Sequence, residues 1–227
     1  MHVFYNPEPN NVLPAGESHH ATHVLRVAVG EKIKVIDGKG KVVTAEVTSV
    51  NAKGCEYNEL DTQAIPSRPF RLHVAFGILK PSDRMEWFIE KATEIGIDEI
   101  SPILCDHSER KNVNINRFEK VAIAAVKQSM QPYIPVINPL MTFKEFITSH
   151  IPGYIAHCSD GIRIPLKDFD QSLNAVTVLV GPEGDFSTNE IERALSAGWQ
   201  PVSLGESRLR AETAAIVACH SIHLLKD

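Results

Sequence analysis

The strongest constraint on the fold of this chain is a rhythm that begins at Phe70, where short apolar runs alternate with amphipathic segments of helical spacing. Runs such as RLHVAFGIL and AVTVLV lack the polar alternation of a half-exposed strand and are typical of strands buried on both faces. Helical segments separate them along the chain. This alternation predicts an α/β fold, with a mainly parallel sheet covered by helices on both faces.

Capping signals locate the ends of several of these helices. Gly96 is placed to end the helix that follows Pro81, because glycine readily adopts the left-handed conformation at a helix end. Three pairs of residues have the spacing of an N-cap and its partner three positions later: Thr142 and Glu145, Ser187 and Glu190, and Asn116 and Glu119.

The part of the chain before Phe70 is rich in short β-type segments. Two alternating runs flank the turn at residues 37–40, which predicts a hairpin, and further strands are predicted at HVFYN and CEYNEL. Apolar residues of helical spacing predict one helix that ends at Gly30. The segment DTQAIPSRP has two prolines and no periodicity, so we interpret it as a linker. We predict a small β-barrel domain over residues 1–68 and the α/β domain over residues 69–227.

The composition excludes several classes of protein. The chain has 227 residues and a formal net charge of −5, unlike basic proteins that coat nucleic acid in bulk, and no DNA partner is expected. It contains no apolar stretch of membrane-spanning length, and its first residues lack the features of a signal peptide. Four widely separated cysteines are typical of reduced, mostly buried thiols. We therefore expect a cytoplasmic protein without membrane association.

A cluster of histidines raises the possibility of a metal site. His19 and His23 would share one face of a helix, with His20 beside them. A zinc site needs further ligands, and neither a cysteine nor a carboxylate is evident nearby. We expect no metal, and favour a place for these histidines in the fold or on the surface of the small domain.

Three turns could carry chemistry, because ligands of open α/β sheets bind beyond the carboxyl ends of the strands. These turns are GILKPSDR, VGPEGDFS and LGESRLRAET. A single turn of this kind is more often a tight connection than a site, but two in consecutive units favour a binding pocket. Dinucleotide, P-loop and nucleophile-elbow signatures are absent, which weakens dehydrogenase, NTPase and hydrolase interpretations.

The segments GPEGDFSTNEIERA and LGESRLRAETAA together resemble the paired motif of the ribosomal RNA small subunit methyltransferase E family. The segments SHHATHVLRVAVGEKIKVIDGKG and KPSDRMEWFIEKATEIGIDEISPILCDHSER also resemble parts of this family, so the similarity covers nearly the whole chain. The family belongs to the knotted SPOUT class of S-adenosylmethionine-dependent methyltransferases. The resemblance implies a parallel sheet whose chain end threads a loop to form a trefoil knot, preceded by a PUA-like barrel.

The same resemblance implies an activity and partners. The chain would be a homodimer that uses S-adenosyl-L-methionine to methylate N3 of one uridine in 16S ribosomal RNA of the small subunit. Two alternatives stay open: a related knotted methyltransferase acting on transfer RNA or another ribosomal site, and a catalytically silent RNA-binding or ribosome-assembly protein.

The resemblance also maps a cofactor pocket onto two loops. Leu204 and Leu209 would supply apolar contact, and backbone groups would bind the adenine. A carboxylate, either Glu183 or Glu212, would lie near the sulfonium charge, although Glu183 could equally interact with a helix dipole. The mapped residues are Gly181, Glu183, Gly184, Leu204, Gly205, Ser207, Leu209, Arg210 and Thr213.

Catalysis at uracil N3 requires loss of the N3 proton and correct positioning of the ring. We predict that Arg210 stabilises negative charge on the uracil oxygens or binds a flanking phosphate. The alternative for Arg210 is a salt bridge to Glu212 or Glu206. Glu212 is a candidate base that could instead cap the last helix with Thr213.

RNA contact is expected from basic side chains in both predicted domains, although any one of them could be an ordinary surface charge. The candidates are Arg26, Lys32, Lys34, Lys80, Arg84, Arg110 and Lys111. Three residues depart from the family pattern: Lys127 stands where an acidic residue is expected, Gln131 where an arginine is expected, and Asp185 where glycine is common.

Overall fold

A computed structural model describes residues 1–51 and 54–226 of the chain. Its contacts divide the chain into two units, of which the first comprises Met1–Ser67 with Ile123–Ile134 and the second comprises Arg68–Ala122 with Pro135–Asp227. The predicted boundaries, 1–68 and 69–227, remain a proposal. No helix among the described residues is long and apolar enough to cross a membrane.

The first unit contains a four-stranded mixed sheet in the order β1-β2-β3-β4. Its strands are β1 (His2–Tyr5), β2 (Lys32–Ile36), β3 (Lys41–Asn51) and β4 (Gly54–Ala64). Strand β1 is parallel to β2, whereas β2, β3 and β4 are antiparallel. The predicted hairpin at residues 37–40 is confirmed, because Asp37 Oδ1 accepts hydrogen bonds from the backbone of Lys39 and Lys41. Phe4, Ile33, Val35 and Tyr57 are among the buried residues of this unit.

Two predictions for the first unit are wrong in their bounds. Helix α1 (Ala15–His19) continues as one π-helical turn at His20–Val24 and does not reach Gly30. Arg26 has a φ of 54°, a left-handed conformation that does not continue a right-handed helix. The predicted linker begins too early, since β4 extends to Ala64 through pairing with β3.

The basic side chain of Lys127, unexpected in the family pattern, pairs with Glu17 inside the first unit. Lys127 Nζ lies 2.7 Å and 2.9 Å from the two Glu17 carboxylate oxygens. The two side chains retain only 16% and 15% exposure, so the charges are largely desolvated and compensate each other. Gln131, the other departure in this segment, follows Met130, which has a φ of 58°.

We expect Lys127→Met to lower the free energy of unfolding by about 2 kcal/mol, because it leaves the Glu17 carboxylate mostly buried and unpaired. The double variant Glu17→Gln with Lys127→Met should recover most of this loss. Urea unfolding of the native chain and both variants measures the effect. A single variant as stable as the native chain would show that the pair contributes nothing.

The second unit contains an eight-stranded sheet in which every pairing is parallel. The strands lie in the order β10-β12-β9-β11-β5-β6-β7, and β8 pairs with β6. Their bounds are β5 (Arg71–Gly77), β6 (Glu99–Leu104), β7 (Val136–Ile137), β8 (Met141–Thr142), β9 (Tyr154–Ala156), β10 (Ile164–Pro165), β11 (Ala175–Val180) and β12 (Gln200–Ser203). The predicted parallel α/β architecture is confirmed.

Helices connect these strands, and a short 3₁₀ turn at Leu166–Asp168 follows β10. The helices are α2 (Ser82–Ile95), α3 (Ile115–Ser129), α4 (Phe143–Ser149), α5 (Thr188–Ser196) and α6 (Ala211–Lys226). The division between the two units falls within α3. Helix α6 packs against α2, β5 and β11. The knotted threading of the chain stays a prediction.

The cap predictions are mostly confirmed. Capping boxes begin α4 at Thr142 and α5 at Ser187, and Gly96 ends α2 with a φ of 103°. The prediction for α3 is wrong, because the side chain that accepts a hydrogen bond from the backbone of Arg117 belongs to Asn114. Asn116 lies inside the helix.

A buried polar network occupies the amino-terminal half of β5 and β6, away from the carboxyl ends of the strands. His73 is buried, and its Nε2 lies 2.8 Å from Ser101 Oγ. The amide of Asn138 donates to Ser101 Oγ and to Glu99 Oε1. Burial is the main cause that lowers the pKa of His73 to about 4; Glu99 opposes this, whereas His150 and Arg71 lower the pKa further.

We expect His73 to make the chain less stable in acid. The unfolded chain binds a proton at this histidine below pH 6.5, whereas the folded chain binds it only near pH 4. Stability is therefore complete above pH 6.5 and declines as the pH falls towards 4, by up to ~3 kcal/mol. Urea unfolding from pH 7 to pH 4 should show this slope, and the slope should become shallower in His73→Gln. Equal slopes in the two proteins would contradict the assignment.

Candidate active site

Three adjacent strands of the large sheet end at the same level and form an apolar floor. Ala156, the last residue of β9, pairs in register with Val180 at the end of β11 and with Val202 near the end of β12. All three residues line one cavity. The floor therefore lies at the carboxyl ends of parallel strands, where open α/β sheets bind their ligands.

The cavity has a volume of about 440 Å³, which is within the range of small-molecule sites. Its walls are the segments that leave β9, β11 and β12, and the beginning of α6 closes one side. A second, more polar cavity of about 490 Å³ shares six residues with the first, and we call it the polar annex. The annex is lined by Cys158, Ser159, Arg163, Asp185, Gly205, Glu206, Ser207 and Arg208.

The loop after β11 forms the first wall. Gly181, Pro182 and Glu183 line the cavity, and Glu183 Oε1 accepts a long hydrogen bond of 3.3 Å from the backbone of Lys80. Gly184 does not line the cavity. A Cβ at this position would lie 2.9 Å from the Cβ of His107, so the glycine allows close packing of His107 and is not part of the cavity lining.

Asp185 follows in a left-handed conformation, with a φ of 61°. Aspartate tolerates this conformation better than most side chains, and glycine has no penalty there, which agrees with glycine being common in the family at this position. Asp185 Oδ2 accepts a hydrogen bond of 2.7 Å from the backbone N–H of Cys158, and Oδ1 accepts one of 2.8 Å from Phe186. The carboxylate therefore joins the loop after β11 to the loop after β9.

The loop after β12 forms the opposite wall. Leu204, Gly205, Ser207, Leu209 and Arg210 all line the cavity, as the resemblance implies. Gly205 has a φ of 123°, which other residues rarely adopt, although its missing side chain would meet open space. The glycine is therefore needed for the path of the backbone. Thr213, also predicted, is not among the lining residues.

The structure separates the two predicted catalytic residues. Arg210 is exposed, lines the cavity and makes no ion pair with the described residues. Glu212 is 8% exposed and does not line the cavity. Its Oε1 lies 3.7 Å from Nε of Arg84, so the alternative salt bridge between Arg210 and Glu212 is not formed. Its Oε2 is buried without a hydrogen-bond partner among the described residues.

The middle wall was not predicted. Ala156 ends β9, and His157 and Cys158 follow it. Arg163 lies farther along the same loop, with its guanidinium donating to the backbone carbonyl of His157. In the segment GYIAHC, polar residues directly follow an apolar strand, as they do after β11 and β12. This pattern could have predicted the middle wall. The cysteine prediction is confirmed, since Cys55, Cys105 and Cys219 are buried and only Cys158 is exposed.

Two of the predicted RNA-binding residues of the second unit have ionic partners. Lys80 Nζ lies 2.7 Å from Glu109, whose carboxylate raises the pKa of the lysine, and Arg84 lines the cavity beside Glu212. Arg110 and Lys111 make no ion pair within the described ranges. In the first unit, Arg26 and Lys32 are exposed and Lys34 is half-buried.

The loop that carries Arg110 and Lys111 is fastened to the loop after β11. Asp106 donates its backbone N–H to the buried carboxylate of Glu190 at 2.9 Å and accepts a bond of 2.6 Å from Ser187. His107 Nδ1 lies 2.8 Å from the carbonyl oxygen of Gly184 and 3.0 Å from that of Asp185. Because carbonyl oxygens only accept, Nδ1 must carry a proton.

No group of three or more histidine, cysteine, aspartate or glutamate side chains in the described part of the chain could hold a metal ion. His19 and His23 stack on each other, with ring centroids 4.5 Å apart. His23 Nδ1 also lies 2.7 Å from the Thr22 hydroxyl. These contacts give the two histidines a place in the fold of the first unit.

Comparison with known proteins identifies the class. A family model described as an RNA methyltransferase domain matches residues 66–223, and one described as an RNA methyltransferase PUA domain matches residues 13–58. A crystal structure of a probable rRNA-methyltransferase from Porphyromonas gingivalis is 37% identical, covers 100% of this chain and 98% of that chain, and superposes with a TM-score of 0.91. The fold and the matched domains together define an RNA methyltransferase with a PUA domain.

Named relatives narrow the class further. The ribosomal RNA small subunit methyltransferase E of Aquifex aeolicus is 30% identical over 95% of this chain and 96% of its own length. The crystal structure of the protein of the same name from Neisseria gonorrhoeae, bound to S-adenosyl methionine, is 30% identical with a TM-score of 0.88 and covers 99% of this chain and 98% of that one. The chain belongs to the ribosomal RNA small subunit methyltransferase E family.

Proposed function

We propose that this enzyme binds S-adenosyl-L-methionine in the cavity described above and methylates N3 of a uridine in 16S ribosomal RNA. The observation that carries the proposal is the position of the cavity at the ends of β9, β11 and β12, in a chain of this family. The relative from Neisseria gonorrhoeae is described as bound to S-adenosyl methionine, which supports the same cofactor here.

The residues of the cavity fit this cofactor chemically. The floor of Ala156, Val180 and Val202, with Leu204 and Leu209, offers apolar contact for a flat purine ring. The loops around Gly181 and Gly205 bring backbone groups to the walls. The polar annex contains two carboxylates and two guanidinium groups, which suit the ammonium and carboxylate of an amino-acid tail.

S-adenosyl-L-methionine, when bound, supplies a methyl group activated by a positively charged sulfur. The chain must position the uracil ring and favour loss of its N3 proton. Arg210 can do this, because its exposed guanidinium at the cavity makes no ion pair with the described residues and can stabilise charge on the uracil oxygens. Glu212 lies outside the cavity lining, so we assign it the role of holding Arg84 at the cavity wall.

We further propose that the enzyme acts in the cytoplasm as a homodimer and holds the RNA of the small ribosomal subunit with its basic side chains. Trp87 on α2 is 44% exposed and Leu224 on α6 is 66% exposed, and these two helices pack against each other. Exposed apolar side chains on paired helices support a protein–protein contact there. Arg110 and Lys111 lie on the loop fastened to the cavity wall, which supports an RNA surface beside the site.

The activity can be tested in cells by reverse transcription of 16S ribosomal RNA. Methylation of N3 blocks the pairing edge of uracil, so a native strain should give a strong stop at the modified uridine. The stop should disappear when the gene is deleted and return when it is restored. A stop that persists in the deletion strain would contradict the proposed activity.

A further inference from the structure

His157 is a polar side chain in the cavity wall that lacks a hydrogen bond of normal geometry. It is 8% exposed, and neither Nδ1 nor Nε2 makes such a bond with the described residues, although the backbone of Ser159 interacts with the ring. Buried polar groups of native proteins nearly always have a partner. An unsatisfied imidazole in the wall of a cavity therefore points to a ligand that supplies the missing bond.

The surroundings keep this imidazole neutral. Burial is the largest influence and lowers the pKa of His157; Asp185 raises it, Arg163 lowers it, and a weak hydrogen bond with the backbone of Ser159 raises it. A neutral imidazole has one nitrogen that donates and one that accepts. It can therefore donate one hydrogen bond and accept another, which matches a ribose hydroxyl or the edge of a purine.

The position of His157 indicates which part of a ligand it would contact. The residue lines the cavity with the apolar floor but is not among the residues that line the polar annex. Of the charged side chains of the annex, Glu206 lines the annex alone, whereas Asp185, Arg163 and Arg208 lie where the two spaces meet and line both. A ligand with an uncharged nucleoside and a charged amino-acid tail matches these two spaces when the nucleoside occupies the cavity and the tail occupies the annex.

The loop that carries His157 is held in place. The next residue, Cys158, donates its backbone N–H to Asp185 at 2.7 Å, and Arg163 donates to the carbonyl oxygen of His157 itself. Both bonds hold the peptide group between His157 and Cys158 at the cavity wall, while neither ring nitrogen makes a hydrogen bond of normal geometry with the described residues.

We propose that His157 binds the nucleoside part of the methyl donor through a hydrogen bond made by its imidazole. This inference rests on the proposed function, since it takes S-adenosyl-L-methionine as the ligand of the cavity. It assigns a specific contact to the middle wall, which the sequence motifs do not include.

The variant His157→Phe tests this contact, because phenylalanine keeps a ring of similar size and removes both nitrogens. Calorimetry should show affinity about fivefold to tenfold weaker for S-adenosyl-L-methionine and, equally, for 5′-methylthioadenosine, which lacks the amino-acid tail. The melting temperature without ligand should stay the same or rise, because the variant removes two unsatisfied buried nitrogens. If His157 only supported the fold, the melting temperature of His157→Phe without ligand would fall.

His220→Phe is the matched control, since His220 is exposed on α6 and does not line the cavity. It should leave both affinities unchanged. Unchanged affinities in His157→Phe, or a loss confined to S-adenosyl-L-methionine, would overturn the inference while leaving the proposed function intact. If the native enzyme bound neither compound, the proposed function itself would fail.

Discussion

Arg210→Ala should reduce methyl transfer by about 100-fold to 1,000-fold while cofactor affinity stays within about threefold of the native value. The reason is that Arg210 lines the cavity with its guanidinium unpaired, so its charge is available to the reacting uracil and is not required to hold the fold. Single-turnover transfer of a labelled methyl group to small-subunit particles, with calorimetry of the same protein, separates the two effects.

Arg193→Ala is the control for this experiment. Arg193 is exposed on α5, where it donates to Asn189, and it is not a lining residue of the cavity. Its loss should leave transfer unchanged. Native turnover in Arg210→Ala would remove Arg210 from the mechanism, and a parallel loss of cofactor binding would make it a cofactor-binding residue.

Ala156→Trp should abolish binding of S-adenosyl-L-methionine, which corresponds to a weakening on the order of 100-fold or more. Ala156 is the central residue of the apolar floor, between Val180 and Val202, so an indole built there fills the cavity. The folded state should persist, because the cavity of about 440 Å³ that Ala156 lines has room for the new side chain. Calorimetry measures the affinity, and circular dichroism checks the fold.

The matched control for the filled cavity is Ala175→Trp. Ala175 is exposed at the first residue of β11, at the end of the strand opposite the cavity. This variant should bind the cofactor like the native enzyme. If Ala156→Trp also bound normally, the cofactor would have to lie elsewhere in the protein.

The sequence predicted the parts of the fold that depend on local patterns. The runs at β5 and β11 are apolar throughout because both faces of the large sheet are covered, and the capping boxes at Thr142 and Ser187 act within three residues. The two-residue strands β8 and β10 were missed because they contain too few residues to show any period.

Other features depend on tertiary contacts. Residues 123–134 group by contact with the first unit, although they are distant from it in sequence, and Lys127 pairs with Glu17 across that gap. The helix before Gly30 ends early because Arg26 adopts a left-handed conformation that its side chain does not predict. Local spacing carries no information about such contacts.

For the site, the sequence predicted the two outer walls and missed the middle one. The outer walls contain glycine-rich motifs that resemble a known pair, whereas the middle wall has an ordinary histidine, a cysteine and an arginine. Their proximity follows from the strand order, in which β9 lies between β11 and β12. The same order explains why Asp185 can bridge to Cys158, a contact between residues 27 positions apart.

Isothermal titration of the purified native chain with S-adenosyl-L-methionine is the most direct test of the proposed cofactor site. If the ends of β9, β11 and β12 form the donor site, heat should be released with one ligand bound per chain, and prior saturation with S-adenosylhomocysteine should suppress it. If the folded protein bound no S-adenosyl-L-methionine, even with small-subunit particles present, the cavity would not be a site for the methyl donor.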